Sequence, residues 1–511
     1  MRVYNRNLQL LRGENPFLAL QLLVAEISGK PCKVVGSFPE SHAQVLYLSG
    51  LGDDRWLKQG LDWVESDEKR NLVFLEEDLG VIHRFLSLDL AGRVVTHPRI
   101  TLVSPPFKEA LRPVVLSHLY QTWDYAGEAP VREVVTQLNL WAESMVALYR
   151  DFGISQLMNV FSNLLTSYGV RSGEALFGKF AQIPAIICGA GPSLERHFAE
   201  LRGLEDRALI FGGGSALVPL SEGGISCHFA TALDPASPKE RFARQSYHEV
   251  PLFYQNQLSH SVFLLAQGEK LCLGENGSFP LEEWLDLPLS PCDVGWSATT
   301  FATQIAYQLG CDPIIFVGLD LCISGEKAYA GGMDELRANP ITCTDRYGNR
   351  VETRADFLLA KRWLESFARG HPERSFLNAT GEGLLLEGVA DVPLVLERAS
   401  YDLKAKAHQF VVAAPPLDLS HVQSKLGELH ESLNRCMELL KDDWDGVGLE
   451  GEPFYEAHLM PLWGVWRHLL QTKEICASMR DPAIEKQLQQ TLLFKQVTQS
   501  FKELYERKIS I

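Results

Sequence analysis

The chain lacks any pair of cysteines at the two-residue spacing of a zinc or redox motif, any stretch approaching 18 uninterrupted apolar residues, any excess of basic charge, and any internal repeat or low-complexity tract. The first absence excludes the common short metal and dithiol motifs. Ten cysteines are instead scattered at 32, 188, 227, 272, 292, 311, 322, 343, 436 and 476, mostly in apolar runs such as Ala185-Ile186-Ile187-Cys188, so reduced, buried thiols are expected. The second absence excludes a spanning helix, and Met1-Arg2-Val3-Tyr4-Asn5-Arg6 leads into no signal-peptide core; a cytoplasmic location is the expectation. With 64 acidic residues against 48 basic ones, the formal charge of −16 argues against nucleic acid as a partner. An anionic substrate must then be met by backbone N–H groups and a few basic side chains.

What is present is an average globular composition, 46% hydrophobic and 22% charged, over 511 residues. A chain of this length exceeds a single hydrophobic core and divides into domains. Residues 1–130 read as a small α/β unit: an apolar strand at 43–48, the turn Ser49-Gly50-Leu51-Gly52, a helical stretch, a strand at 72–75 ending on Glu76-Glu77, and a third apolar segment at 100–103. That order is the skeleton of a dinucleotide or adenosyl-methionine site, although Asp53 and Asp54 stand where an anion would approach. Residues 131–180 carry helical periodicity through Val135, Leu138, Leu140, Met145, Leu148 and Tyr149, and read as a connector. After about residue 396 the chain is helical again. Leu426, Leu429, Leu433, Met437 and Leu440 lie near heptad spacing, and a last helix carries Ile484, Leu488 and Leu492. These helices suit packing on the core or a homo-oligomer contact.

Between 181 and 395 five short apolar runs alternate with helical stretches: 185–188, 208–211, 228–232, 250–254 and 313–317. This predicts an α/β fold with a mainly parallel, Rossmann-like sheet covered by helices on both faces. Ligands of such sheets sit at the carboxyl ends of the strands, where the informative residues fall. Cys188-Gly189-Ala190-Gly191-Pro192-Ser193 is a strand running into a glycine turn and a helix start. Gly189 and Gly191 permit positive φ and close approach, Pro192 suits a first helical turn, and Ser193 adds a hydroxyl. Steric needs of a tight turn account for the glycines equally well, and the lysine of a P-loop is missing. Phe211-Gly212-Gly213-Gly214-Ser215 repeats the pattern one unit later. Asp234, in Leu233-Asp234-Pro235, suits ribose, a base or a metal, or simply a turn. Ser297 reads as an N-cap with Thr299 beside it, at a helix start able to face a carboxylate or phosphate. Asp320, in Gly318-Leu319-Asp320-Leu321, ends the last strand, and Lys327 to Gly332 suits a lid.

Taken together, Gly189 to Leu194, Leu233-Asp234-Pro235, Gly295-Trp296-Ser297, Gly318 to Leu321 and Tyr329-Ala330 resemble the motility accessory factor family. Its central domain is similar to bacterial sialyltransferases and to archaeal 6-hydroxymethyl-dihydropterin diphosphokinases. Asn378-Ala379-Thr380-Gly381-Glu382-Gly383 looks like the family's Asn-x-Thr-Glu-Gly-Gly segment with Glu and Gly exchanged. The resemblance implies transfer of a nonulosonic acid from a CMP-sugar donor to a hydroxyl of a protein acceptor such as flagellin. It implies that Gly189, Gly191, Pro192, Ser193, Gly213 and Ser215 meet the nucleotide, Asp234 and Asp320 the ribose or a Mg²⁺ ion, and Ser297 with Thr299 the donor's acidic group. His228, His248 and His260 are the candidate bases, alongside Asp234. Trp296 replaces a small residue of the family, and Glu326 to Tyr329 lacks its frequent His. Diphosphoryl transfer from ATP, and a non-catalytic nucleotide-binding scaffold, are the competing readings.

Overall fold

The computed structural model describes residues 2–24, 38, 45–68, 70–104, 120–124, 151–167, 169–237, 249–275, 280–323, 341–396, 401–441, 448–463 and 482–509. The expected helical positions Val135 to Tyr149, His248 and the Lys327–Gly332 segment lie outside them. Contacts divide the chain into two compact units, residues 1–150 with 460–493, and residues 151–459 with 494–511.

The first unit holds a four-stranded parallel sheet, β1 (Val45–Ser49), β2 (Asn71–Leu75), β3 (Ile100–Val103) and β4 (Tyr120–Asp124), in the order β3-β2-β1-β4. The expected order of strand, glycine turn, helix, strand and acid is formed here. The helix Asp54–Glu65 is capped by its own chain, because the Asp53 side chain accepts the Trp56 N–H at 3.0 Å. A protein carboxylate thus stands at the helix start where a phosphate would be bound. Gly52, at φ +72°, is fixed by crowding, since an added Cβ would lie 2.6 Å from that of Trp56. Glu76, at the end of β2, is buried; desolvation pushes its carboxyl up to about 7, against the N–H donated by Asp78 at 2.9 Å.

The second unit is built on a nine-stranded sheet whose pairings are all parallel. Its strands are β5 (Arg171–Ser172), β6 (Ala185–Cys188), β7 (Leu209–Gly213), β8 (Phe229–Ala232), β9 (Leu252–Tyr254), β10 (Lys270–Cys272), β11 (Ile314–Val317), β14 (Phe376–Asn378) and β15 (Ala390–Asp391). They run in the order β15-β14-β11-β6-β7-β8-β9-β10-β5. The run β8-β7-β6-β11-β14 is the 3-2-1-4-5 order of a doubly wound sheet, with the reversal between β6 and β11. An antiparallel hairpin, β12 (Ile341–Thr344) with β13 (Arg350–Thr353), forms a separate two-stranded sheet.

The five strand runs are apolar on alternate residues of both faces because both faces are covered. Ala185, Ile187, Phe211, Phe229, Ile314 and Phe316 pack with the helices Ala298–Gln308, Ala355–Gly370 and Leu403–Ala413. Ile186, Cys188, Ile210, Ala230, Ile315 and Val317 face Leu194, Leu201, Leu217, Leu220 and Val262 on the other side. Residues 151–165 are helical as expected, whereas Arg171–Ser172 in the same stretch is a strand of the sheet.

The helix Ser420–Leu439 buries Val422, Leu426, Leu429, Leu433 and Cys436. In the last helix, Pro482–Ile509, the stripe expected from Leu488 and Leu492 is more than half exposed. Phe494, Val497, Phe501 and Tyr505 are buried instead: Phe161 packs edge-on against Phe501 and Tyr505, and Tyr505 Oη donates to the Leu426 carbonyl at 2.9 Å. Among the described residues no cysteine forms a disulfide and no helix is long and apolar enough to cross a membrane. Burial pushes the thiols up, Cys292 to about 12.

Candidate active site at the carboxyl edge of the central sheet

Gly189 to Ser193 is the turn leaving β6 at its carboxyl end, and Gly318 to Leu321 is the turn leaving β11 beside it. The two interlock. Gly189 N–H donates to Val317 O and Gly191 N–H to Gly318 O, both at 2.8 Å. An added Cβ on Gly189 would lie 2.4 Å from Gly318 O, and one on Gly191 would lie 1.8 Å from Asp320 Oδ2. The reason for these glycines is close approach between turns, not positive φ, since Gly191 sits at φ −63°. The left-handed positions are Gly318 at +67° and Leu321 at +55°. In a bulky residue such a conformation is costly and is held by its surroundings; here the Leu321 carbonyl accepts the Thr353 hydroxyl at 2.7 Å.

Pro192 opens a 3₁₀ helix to His197, followed by the short α-helix Phe198–Arg202. Ser193, expected at a phosphate, is buried and directs both its donors to Asp320 Oδ2, the hydroxyl at 2.8 Å and the amide at 3.3 Å. Asp320 therefore occupies the anion position of this turn. Burial raises its carboxyl above the usual range and the Ser193 donors oppose the rise; Oδ1 accepts no hydrogen bond.

The second glycine turn leaves β7. An added Cβ at Gly213 would lie 2.9 Å from both Ala298 Cβ and Thr231 Oγ1, and Thr231 Oγ1 donates to the Ala298 carbonyl at 3.1 Å. The N-terminus of the Ala298–Gln308 helix is thereby held over the ends of β7 and β8, with buried Ser215 in the same turn. Ser297 is the N-cap in a complete capping box: its Oγ accepts the Thr300 N–H at 3.1 Å, and Thr300 Oγ1 accepts the Ser297 N–H at 2.9 Å. Thr299, half-buried, stands in the helix's first turn.

Asp234 ends β8. Its Oδ1 accepts the Ala236 N–H at 3.0 Å, an Asx-type turn, and its carbonyl accepts the Ser259 N–H at 3.1 Å, which joins it to the loop leaving β9. His260 opens the short helix His260–Leu265 that follows this loop. Asp234 and His260 thus stand together at the carboxyl edge. Asp320 shares the edge but is separated from Asp234 by β6 and β7, three strand spacings or roughly 14 Å. The edge suits an extended ligand better than one ion held by both acids.

His228 does not belong to the site. It precedes β8 and so lies at the amino edge, where its Nδ1 accepts the Ile210 N–H at 3.0 Å. Burial, reinforced by the charge of Lys404, pushes its ring down to about 4, which keeps it a neutral acceptor. The strand direction decides against it as a base.

Sequence reasoning missed the amides that position His260. On the helical residues 151–165, Gln156, Asn159 and Asn163 face the loop after β9: Gln156 Nε2 donates to Gln257 Oε1, and Asn159 Nδ2 donates to Pro235 O and Gln257 O at 2.8 and 3.1 Å. Asn163 Nδ2 donates to Asn256 O at 2.8 Å and Leu258 O at 2.7 Å. Those two carbonyls fix which end of the Asn163 amide is nitrogen. Its Oδ1, 2.8 Å from His260 Nδ1, must then accept. The neutral ring therefore carries its proton on Nδ1 and its basic lone pair on Nε2. The signal was present as three amides, Gln156, Asn159 and Asn163, at three- and four-residue spacing along one face of the helical stretch. Nearby, Glu275 and Glu282 are buried, with Glu282 accepting from Asn256 Nδ2 at 3.0 Å and from the Glu275 N–H at 2.9 Å; burial raises both carboxyls.

Residues 158–326 match the family model described as MptE-like, 6-hydroxymethylpterin diphosphokinase MptE-like. Among solved structures, the chain is similar to the MAf glycosyltransferase from Magnetospirillum magneticum AMB-1, at 15% identity and a TM-score of 0.61, covering 98% of this chain and 97% of that one. No curated protein matches. Both halves of the expected resemblance are found: the central segment matches the MptE-like family, and the chain as a whole has the fold of a MAf glycosyltransferase.

Proposed function

We propose that the protein is a glycosyltransferase of the motility accessory type, moving a nonulosonic acid from a CMP-sugar to a protein hydroxyl such as a Ser or Thr of flagellin. The observation that carries this is the continuous edge from the β11 turn to the loop after β9. It joins two glycine turns, a helix N-terminus and a histidine of fixed tautomer along a length suited to a nucleotide-sugar. The likeness to a glycosyltransferase over nearly all of both chains supports it.

In this reading the acceptor oxygen attacks the anomeric carbon of the donor. The bond from that carbon to the CMP phosphate oxygen breaks, and CMP leaves with the electron pair. His260 Nε2 takes the acceptor proton, while Asn163 holds the Nδ1–H and stabilises the imidazolium that forms. Asp234 and the helix start at Ala298 flank the donor. Asp320 shapes the turn beside it through Ser193. His228 acts only as a structural acceptor.

The match to the diphosphokinase-like family supports a second reading, diphosphoryl transfer with Mg²⁺. The separation of Asp234 from Asp320 does not suit a single ion held between them. Incubation with CMP-sialic acid and a serine-containing acceptor peptide should release CMP, without a strict requirement for Mg²⁺. Pyrophosphorylation of a hydroxymethylpterin that stops in chelator, with no CMP released, would transfer the assignment to the second reading.

A further inference from the structure

We infer that Arg346 and Asn378 form an oxyanion subsite beside the carboxyl ends of β14 and β15, taking a carboxylate or phosphate group of the bound substrate. Arg346 lies in the turn joining β12 to β13. Two bonds fasten this turn to the loop after β14: Arg346 N–H donates to Gly383 O at 3.0 Å, and Tyr347 Oη to Gly381 O at 2.6 Å. The Arg346 side chain is 8% exposed, and its Nη1 is anchored on Asp391 Oδ1 at 3.0 Å. Nε and Nη2 are buried and meet no acceptor. Those two nitrogens present the parallel N–H pair of the guanidinium's side, spaced for the two oxygens of a carboxylate or phosphate.

Asn378 is 1% exposed, and its Oδ1 accepts the Thr380 N–H at 3.1 Å, while Nδ2 has no acceptor. Asn378 is paired in register with Asp391, so the two side chains share a face of the sheet, and Arg346 docks on Asp391. Buried donors of this kind are unfavourable unless an acceptor completes them, and an oxyanion would complete all three. The nearby acids leave the fork unopposed: Asp391 lies on Nη1, and Glu382 is paired with Arg196. Because β14 neighbours β11, the subsite flanks the crevice at Asp320. If the glycosyltransferase reading holds, the group received is the donor's carboxylate or phosphate; the subsite itself does not depend on that reading.

The test is calorimetry on the full chain with sodium phosphate, N-acetylneuraminic acid, CMP and neutral cytidine. At least one anion should bind the parent tenfold or more tightly than it binds Arg346→Gln, with cytidine unaffected. Arg346→Lys, which keeps the charge and loses the fork, should behave like the glutamine variant and serves in its place if that variant fails to fold. Asp391→Asn, which removes the anchor alone, should weaken the same anion less. A preference for N-acetylneuraminic acid or for phosphate and CMP identifies the group received. Equal anion affinities in the parent and both Arg346 variants would overturn the subsite. Arg346-dependent binding of phosphate with no binding of CMP would leave it standing and remove the CMP-sugar reading.

Discussion

Replacing Ser193 with alanine distinguishes a serine that builds the turn from one that binds phosphate. In the folded chain its hydroxyl and amide both donate to Asp320 Oδ2, at 2.8 and 3.3 Å, in a place where each group is about 1% exposed. The variant keeps only the longer, weaker bond. A hydrogen bond to an ionised partner contributes about 1.5–3 kcal/mol, so a loss near 2 kcal/mol is expected, about 30-fold in the folding equilibrium. Burial raises the Asp320 carboxyl, so its protonated form is favoured in the fold, and its ionisation lowers stability as pH rises from the unfolded value through the folded one. Ser193 offsets that cost only once the carboxyl is charged. The loss in Ser193→Ala should therefore be larger at pH 8 than at pH 4.5, and smaller in an Asp320→Asn background. Urea unfolding of the four proteins of the cycle, at both pH values, measures this. A loss below about 0.5 kcal/mol, or the same loss in both backgrounds with nucleotide affinity falling instead, would refute the reasoning and return Ser193 to the ligand.

Five further variants draw on the same geometry. Gly191→Ala puts a methyl 1.8 Å from Asp320 Oδ2 and should cost stability at the upper end of the roughly 1–3 kcal/mol of overpacking. Gly381→Ala, at φ +76° but with nothing within 4 Å, should cost only about 1 kcal/mol; thermal melts compare the two. His228, held neutral with its ring near 4, contributes stability that is complete above about 6.5 and is lost as pH falls from there to about 4. The contribution is up to roughly 3 kcal/mol, and His228→Gln should flatten that acid limb of unfolding while leaving transferase activity intact. His260→Asn should lower kcat strongly with little change in the donor KM. Asn163→Asp, which places a carboxylate on the ring's Nδ1–H, should shift the acidic limb of the rate profile to higher pH, read from pH-rate curves.

The sheet was legible because five of its strands are fully buried apolar runs bounded by glycine, proline, acid or amide residues, a pattern that needs no tertiary context. Strands β5, β10, β14 and β15, with two or three residues each, were not, because such short segments become strands only by pairing with a sheet already present. The sheet edge followed from strand direction, and so did the shared placement of Asp234 and Asp320. The same rule should have removed His228, which precedes its strand. Side-chain pairing was beyond reach. Nothing local to Ser193 shows that Asp320, 127 positions later, would take the place of a phosphate. Asn163 and His260 are 97 positions apart, and Arg346 meets Asp391 only through the docking of a hairpin turn.

The interlocked turns after β6 and β11 also bear on how the protein comes into being. Gly189, Gly191 and Ser193 emerge early in synthesis, yet the carbonyl and carboxylate that complete their turn belong to residues 317–320. Until that later strand is made, the Ser193 amide and hydroxyl have only water to bind, and β6 presents an unpaired edge. A ribosome-bound chain ending before β11 should thus be more open to protease near the glycine turn than one extending past it. The crevice floor is a product of the completed chain.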